Sequence, residues 1–425
     1  MEILLIIIFI VGYTAIAFEH PLRLNKAASA LLTGGLLWTL LILSVPDYHF
    51  INEELMHHLG EIASIVFFLL GAMTIVELID GHNGFDVITR QLSTTNKSKL
   101  LIIVSFITFF LSALLDNLTT SIVMTSLCIK LISDRNNRLL FAGIIIISAN
   151  AGGAWSPLGD VTTTMLWIGN QVTALNIIKT LFIPSVFVAL VPTLILSLKM
   201  KGQQITTPNS EPSENAENGH KESKYILIMG VLLLLFVPVF KTLTHLPPFM
   251  GMLIALAIMW VYITILHQRA QQGLYKKLSV AAALQRIDSS SILFFLGILL
   301  AVSALQSAGI LPLLATYLND TLGNDYLIGI ALGLLSALVD NVPLVAAAQG
   351  MYDLTTYPTD HPFWEFLALT TGTGGSCIII GSAAGVAVMG IEQVDFIWYL
   401  RKITWLALIG FAAGIGVFLL QLGLM

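Results

Sequence analysis

Runs of about 20 apolar residues, the length that spans a bilayer core of ~30 Å, follow one another along the whole chain with short polar loops between them. The pattern predicts a stack of membrane helices. The first run, MEILLIIIFIVGYTAIAF, carries Glu2 in place of a basic leader and has no small-residue cleavage site, so it reads as a retained helix and not a signal peptide. Lys and Arg gather in segments 20–26, 90–99, 134–138, 199–224 and 267–277 and at Arg401 and Lys402, whereas 46–54, 319–325 and 352–362 are acidic or neutral. The positive-inside rule makes the first set cytoplasmic and the second external, which places the amino terminus outside.

That assignment gives 99–133 basic loops at both ends, so the segment must enter and return on one side. Two arms of about 16 residues reach only ~24 Å each at ~1.5 Å per residue, short of a full span. Residues 99–133 are therefore predicted to form a re-entrant hairpin with Asp116 and Asn117 at its turn, and 326–351 a second one, dipping from outside, with Asp340 and Asn341 at its tip.

The two tips carry nearly the same heptad, LSALLDN ending at Asn117 and LSALVDN ending at Asn341. SIVFFLLG (64–71) likewise matches SILFFLG (291–297), and NAGG (150–153) matches GTGG (372–375), in the same order. A long-period repeat whose halves the charge bias orients oppositely is the plan of an inverted-repeat transporter, with its site at the midplane between halves. The expected architecture is an all-α polytopic membrane protein of about ten full spans plus two hairpins. The first repeat covers 1–198 (hairpin 99–133, broken helix 139–168) and the second 225–425 (hairpin 326–351, broken helix 363–390). Between them, 199–224 is rich in Ser, Asn, Glu and Pro and reads as a disordered cytoplasmic linker.

Composition narrows the function. The chain is 56% hydrophobic and 11% charged, against about 45–50% and ~25% in soluble proteins. Its net charge of −5 and scattered basic residues give no stripe for nucleic acid, which is excluded as a partner. Cys128 and Cys377, both in apolar surroundings, form neither a disulfide framework nor a zinc site. Nothing pairs a nucleophile with a base, so no enzyme and no cofactor are expected.

Carboxylates at membrane depth default to functional candidates because burying a charge there costs ~2.5–3.5 kcal/mol or more. Asp116 and Asp340 lead, each preceding an Asn at a hairpin tip; both also suit helix capping, and Pro343 fits a first helical turn. The stretch 148–164 interrupts an apolar run with three Gly, one Pro, Asn150 and Asp160, and 370–385 does the same in the second half. Irregular backbone at this depth must line a cavity or be buried in protein, so both are read as broken helices whose carbonyls join Asn150, Thr373 and Ser376 as oxygen ligands for a hard cation. Gly381 and Gly385 read instead as close-packing residues. Asp160 has no acidic twin; Ser382 stands in its place. Glu77 is a path or interfacial residue and Asp80 interfacial, while His57, His58 and His82 are read as solvated groups at loop edges, with pH sensing as the alternative.

At LLDNLTTSIV, SANAGGAWSPLGDVTTTMLW, LVDNVPLVAA and TGTGGS the chain resembles NhaD-type sodium/proton antiporters of the ion transporter superfamily, which also holds arsenite pumps and dicarboxylate carriers. The resemblance runs over nearly the whole chain. It implies two inverted repeats, a homodimer, and ion- or proton-binding roles for Asp116, Asn117, Thr120, Ser121, Asn150, Asp160, Asp340, Asn341 and Ser376, with Glu77 at a family acidic position. The dicarboxylate carriers have Ser-Asn-Thr at both tips, whereas here both tips carry Asp, which repels an anion and favours a monovalent cation. The expectation is exchange of Na⁺ or Li⁺ for H⁺ by alternating access in a bacterial inner membrane, ion and proton competing for carboxylates Asp116, Asp340 and Asp160. The alternatives are an arsenite or carboxylate carrier on this scaffold and a passive cation channel.

Overall fold

The structure, a computed structural model, describes residues 2–17, 19–45, 48–85, 94–205, 219–269 and 279–424. Helices make up almost all of it, with an isolated bridge between Asn96 and Gln204 the only β pairing among the described residues. Nine described helices are long and apolar enough to cross a membrane, so the protein is an all-α polytopic membrane protein.

The chain runs through Glu2–Ala17, Lys26–Ser44 and the 34-residue Tyr48–Gly81 helix, then a helix–turn–helix of Lys97–Leu115 and Asn117–Leu131. An interrupted pair, Arg135–Ala154 and Val161–Ile168, precedes the Ala174–Lys199 helix. The second half repeats this order. Gly219–Thr244, Pro248–Arg269 and Ser289–Ser307 lead, after the short amphipathic Ile310–Leu322, into Asp325–Leu335 and Asn341–Met351. The interrupted pair Pro362–Gly374 and Ala383–Glu392 follows, then Phe396–Lys402 and Thr404–Leu424.

Several boundaries differ from expectation, for local reasons. Residues from Tyr48 to Glu54 are not loop but the first turns of the Tyr48–Gly81 helix, because NEELMHH continues with good helix formers. The first arm of the first hairpin has 19 residues, about 28 Å, because Asn96 caps it at Lys99 N (3.0 Å) and Lys97 is buried within its first turn; its length alone does not make it re-entrant. The linker is shorter than 199–224. Ile205 N bonds Thr95 O, Gln204 bridges Asn96 and a helix resumes at Gly219, while 206–218 lie outside the described residues, as do 86–93 and 270–278 of the basic segments.

Packing ties the halves together crosswise. Lys97–Leu115 lies on Arg135–Ala154, and Asp325–Leu335 lies on Pro362–Gly374, each first hairpin arm on the broken helix of its own half. The second arms cross over: Asn117–Leu131 packs on Ala383–Glu392, and Asn341–Met351 on Val161–Ile168. The same small residues set both contacts. A Cβ at Gly152 would run into Phe109 O, and one at Gly374 into Gly333 O, so the backbones touch where only glycine fits. Ser112 of the first heptad donates to Ala149 O (2.6 Å) and Ser336 of the second to Thr371 O (2.7 Å). In both copies the heptad serine thus joins a helix–turn–helix to an interrupted helix. Gly381, read as a packing residue, lies against the Ser336 and Ala337 carbonyls.

Candidate functional site

Both heptads end in helix caps. Asp116 caps Asn117–Leu131 through Oδ1 to Thr119 N (2.8 Å), while its Oδ2 accepts from Thr119 Oγ1 (2.9 Å). Its φ of 93° and ψ of 155° lie in a region populated essentially by glycine, at a cost of roughly 1–3 kcal/mol. Asp340 caps Asn341–Met351 through Oδ1 to Val342 N (3.1 Å) with ordinary dihedrals, and Pro343 sits in the first turn of that helix. Capping occupies part of each carboxylate. Every carboxylate oxygen has a second lone pair, so the caps leave acceptor capacity for an ion.

The helix breaks bring the remaining groups in. Asp160, buried at the start of Val161–Ile168, accepts from Thr162 Oγ1 (2.8 Å) and, across the halves, from Asn341 Nδ2 (3.1 Å). Asn150, fully buried, accepts from Asn117 Nδ2 (3.0 Å) and donates to Ser376 Oγ (2.8 Å) and Ser382 Oγ (3.0 Å). Each tip asparagine therefore bonds the first interrupted helix pair directly, Asn341 at Asp160 and Asn117 at Asn150, and Asn150 carries the link on to the second. The freed carbonyl of Ser376 accepts from Tyr399 Oη (2.8 Å), which answers the backbone accounting of the second break.

One cavity of about 60 Å³ is lined by Asp116, Asn117, Asp160, Asp340 and Asn341, with Phe68, Met73 and Val76 of the Tyr48–Gly81 helix as an apolar wall. It has room for a few water-sized species. Asp340 and Asp160 share its lining, and Asn341, the residue after Asp340, donates to Asp160. Among the described residues none of the three carboxylates has an ion-pair partner, although Lys26 also lines the cavity, its Nζ lying 4.7 Å from the Phe294 ring centroid.

Other predicted residues fall elsewhere. Thr120 and Ser121 are buried beside the first tip with hydroxyls that have no hydrogen-bond partner among the described residues, oxygens still available to an ion. The Thr373 hydroxyl bonds back to Leu369 O (2.6 Å) within its own helix. Glu77 does not itself line the cavity, although its neighbour Val76 does, and it pairs with Arg286 (3.5 Å). His58 and His82 are buried, not solvated: His58 lies within the long helix and meets Ser307 Oγ (3.2 Å), and His82, just past its end, meets Leu78 O (2.8 Å), whereas His57 is exposed and faces Glu61.

Sequence reasoning missed Ser112, Thr162, Ser336, Tyr399 and Lys241. The two serines had a signal, their shared place in the heptad. Lys241 donates to Trp167 O (2.5 Å) and lies 4.8 Å from that ring, a cation set at the carboxyl end of the Val161–Ile168 half-helix where its dipole is negative. Only its position at the end of an apolar run marked it.

A family profile described as a citrate transporter matches residues 5–372. "Sodium/proton antiporter 1" of Arabidopsis thaliana is 46% identical over 420 residues, covering 98% of this chain and 72% of that one. The Na(+)/H(+) antiporter NhaD of Vibrio cholerae is 32% identical over 444 residues, covering 98% of this chain and 91% of that one. The crystal structure of the YdaH transporter of Alcanivorax borkumensis has a similar fold, with a TM-score of 0.60 over 94% of this chain and 98% of that one at 12% identity.

Proposed function

The chain belongs to the NhaD-type antiporter family of the ion transporter superfamily, and on that premise we propose that it exchanges Na⁺ or Li⁺ for H⁺ by alternating access. It is a membrane transporter, not an enzyme. The observation that carries the reading is the convergence of Asp116, Asp160 and Asp340, from both halves, on one small cavity without an ion-pair partner. Buried charge requires compensation, and a monovalent cation or a proton supplies it there. Binding one excludes the other, and the uncompensated site is costly to move, which converts alternating access into exchange.

In this scheme Asp116 with Asp340 or Asp160 forms the ion shell, and Thr120, Ser121 and the tip asparagines position it. The Asn150 bridge holds the two breaks in register. The halves act as an inverted pair in a homodimer, amino terminus outside, in a bacterial inner membrane; the plant relatives make an organellar membrane the competing location, which fractionation decides.

The test is proton movement in sealed proteoliposomes with an imposed pH gradient and pulses of NaCl, LiCl, KCl or choline chloride. Collapse with Na⁺ or Li⁺ alone, persisting with the potential clamped, supports exchange. Asp116→Asn and Asp340→Asn should each abolish it with the protein still inserted; normal exchange in both refutes the site. The family description favours a second reading, citrate or a related carboxylate as cargo. Three acids against one lysine oppose an anion unless protons or sodium neutralise them, and citrate uptake without Na⁺-driven proton movement would establish it.

A further inference from the structure

Four cationic side chains from three separate stretches surround one cavity of about 410 Å³: Lys97 at the start of the first hairpin, Lys199 at the end of its helix, and Arg401 and Lys402 ahead of the last helix. No Asp or Glu lines it, and none of the four is in an ion pair among the described residues. Asp134 is the acid that acts on Lys97, and its carboxylate is engaged in capping, accepting from Asn137 N at 2.9 Å. Two of the cations are held in place without an anion. Lys97 Nζ donates to Gln203 Oε1 (2.9 Å), and Lys199 Nζ lies 4.4 Å from the Trp405 ring centroid.

Like charges gathered in this way repel unless an anion joins them, and the surroundings specify which kind. Leu196, Leu406 and Trp405 form an apolar side to the cavity, and Leu198, next to Lys199, is 70% exposed. Cations ringing a pocket between membrane helices, with a tryptophan at headgroup level, match the phosphate of an anionic lipid whose chains continue along apolar helix faces. We propose that this pocket binds the phosphate headgroup of an anionic phospholipid, which links the first hairpin, the Ala174–Lys199 helix and the carboxy-terminal helix. The same phosphate chemistry is available from free phosphate; the apolar side selects the lipid.

The experiment uses the full chain, delipidated in detergent. Retention by native mass spectrometry and thermal stability are measured with phosphatidylglycerol, cardiolipin and phosphatidylcholine of matched acyl chains, and with inorganic phosphate. Phosphatidylglycerol and cardiolipin should be retained and raise the melting temperature, while phosphatidylcholine and phosphate do neither. The exposed pair Arg401→Gln, Lys402→Gln should weaken retention of anionic lipid about thirtyfold, whereas Arg401→Lys, Lys402→Arg keeps it. A monodisperse peak and an unchanged melting temperature without lipid verify that both variants are folded. Equal retention of phosphatidylcholine, an equal effect of phosphate alone, or undiminished retention by the folded Gln pair overturns the proposal.

Discussion

Replacing Asn150 by Ala removes a side chain that three others depend on: Asn117 loses its acceptor, and Ser376 and Ser382 lose a donor. The amide of Asn117 is buried, so its unmet donor costs about 1–3 kcal/mol. The serine hydroxyls can rotate, so their lost bonds are counted at about 0.5–1 kcal/mol each, giving roughly 3 kcal/mol in all. Unfolding entropy of ~2.1 cal/mol/K per residue over 425 residues is roughly 0.9 kcal/mol/K, so a cooperative melt should shift down by about 3 °C. The assay is thermal unfolding in detergent, paired with the proteoliposome exchange rate, which should fall because the two breaks lose their common link. Asn117→Ala and the double variant complete a cycle. Since both singles delete the same bond, the double should lose about 1 kcal/mol less than their sum. A melting temperature within about 1 °C of the parent, together with undiminished exchange, would refute the bridging role of Asn150.

Arg138 and Glu392 form a largely buried pair at 2.8 Å, so Arg138→Gln should cost about 3–5 kcal/mol, measured as a drop in melting temperature. Glu392→Gln should cost less, because Arg138 also donates to the Ile132 and Ser133 carbonyls and keeps those bonds. At Gly374 an added methyl meets the Gly333 carbonyl oxygen, which is backbone and cannot rotate away. Gly374→Ala should lower folded yield with a cost of at least about 1–3 kcal/mol, while Gly390→Ala, with open space around it, should be neutral or slightly stabilising in the same assay.

What was legible in the sequence was whatever has a local cause. The turns at Asp116 and Asp340 announce themselves because Asp-Asn is capping chemistry inside apolar runs, and the breaks near Trp155 and Ser376 because Gly, Pro and polar residues cannot continue a helix there. Partners distant in sequence were not legible. Asn150 and Ser382 are 232 residues apart and Lys241 and Trp167 are 74 apart, and no local pattern encodes which face of a helix meets which neighbour. The start of the Tyr48–Gly81 helix was misread for the opposite reason: charge marked those residues as loop, although an exposed helix accepts charge equally well. From its depth and acidity Glu77 reads as a path or interfacial residue, and its pairing with Arg286 was not legible because the two are 209 residues apart.

Asp116 holds a backbone conformation that glycine adopts without cost. Asp116→Gly would relax the turn while deleting the carboxylate and its two bonds to Thr119, so a substitution that relieves this corner of the backbone also removes one of the acids proposed to bind the ion. Anyone selecting heat-resistant variants of this transporter for crystallography or biotechnology would enrich that replacement first unless every round also scored exchange. The second tip sets no such trap, since Asp340 sits at ordinary angles. A screen on survival alone would therefore erode one half of the molecule and leave the other untouched.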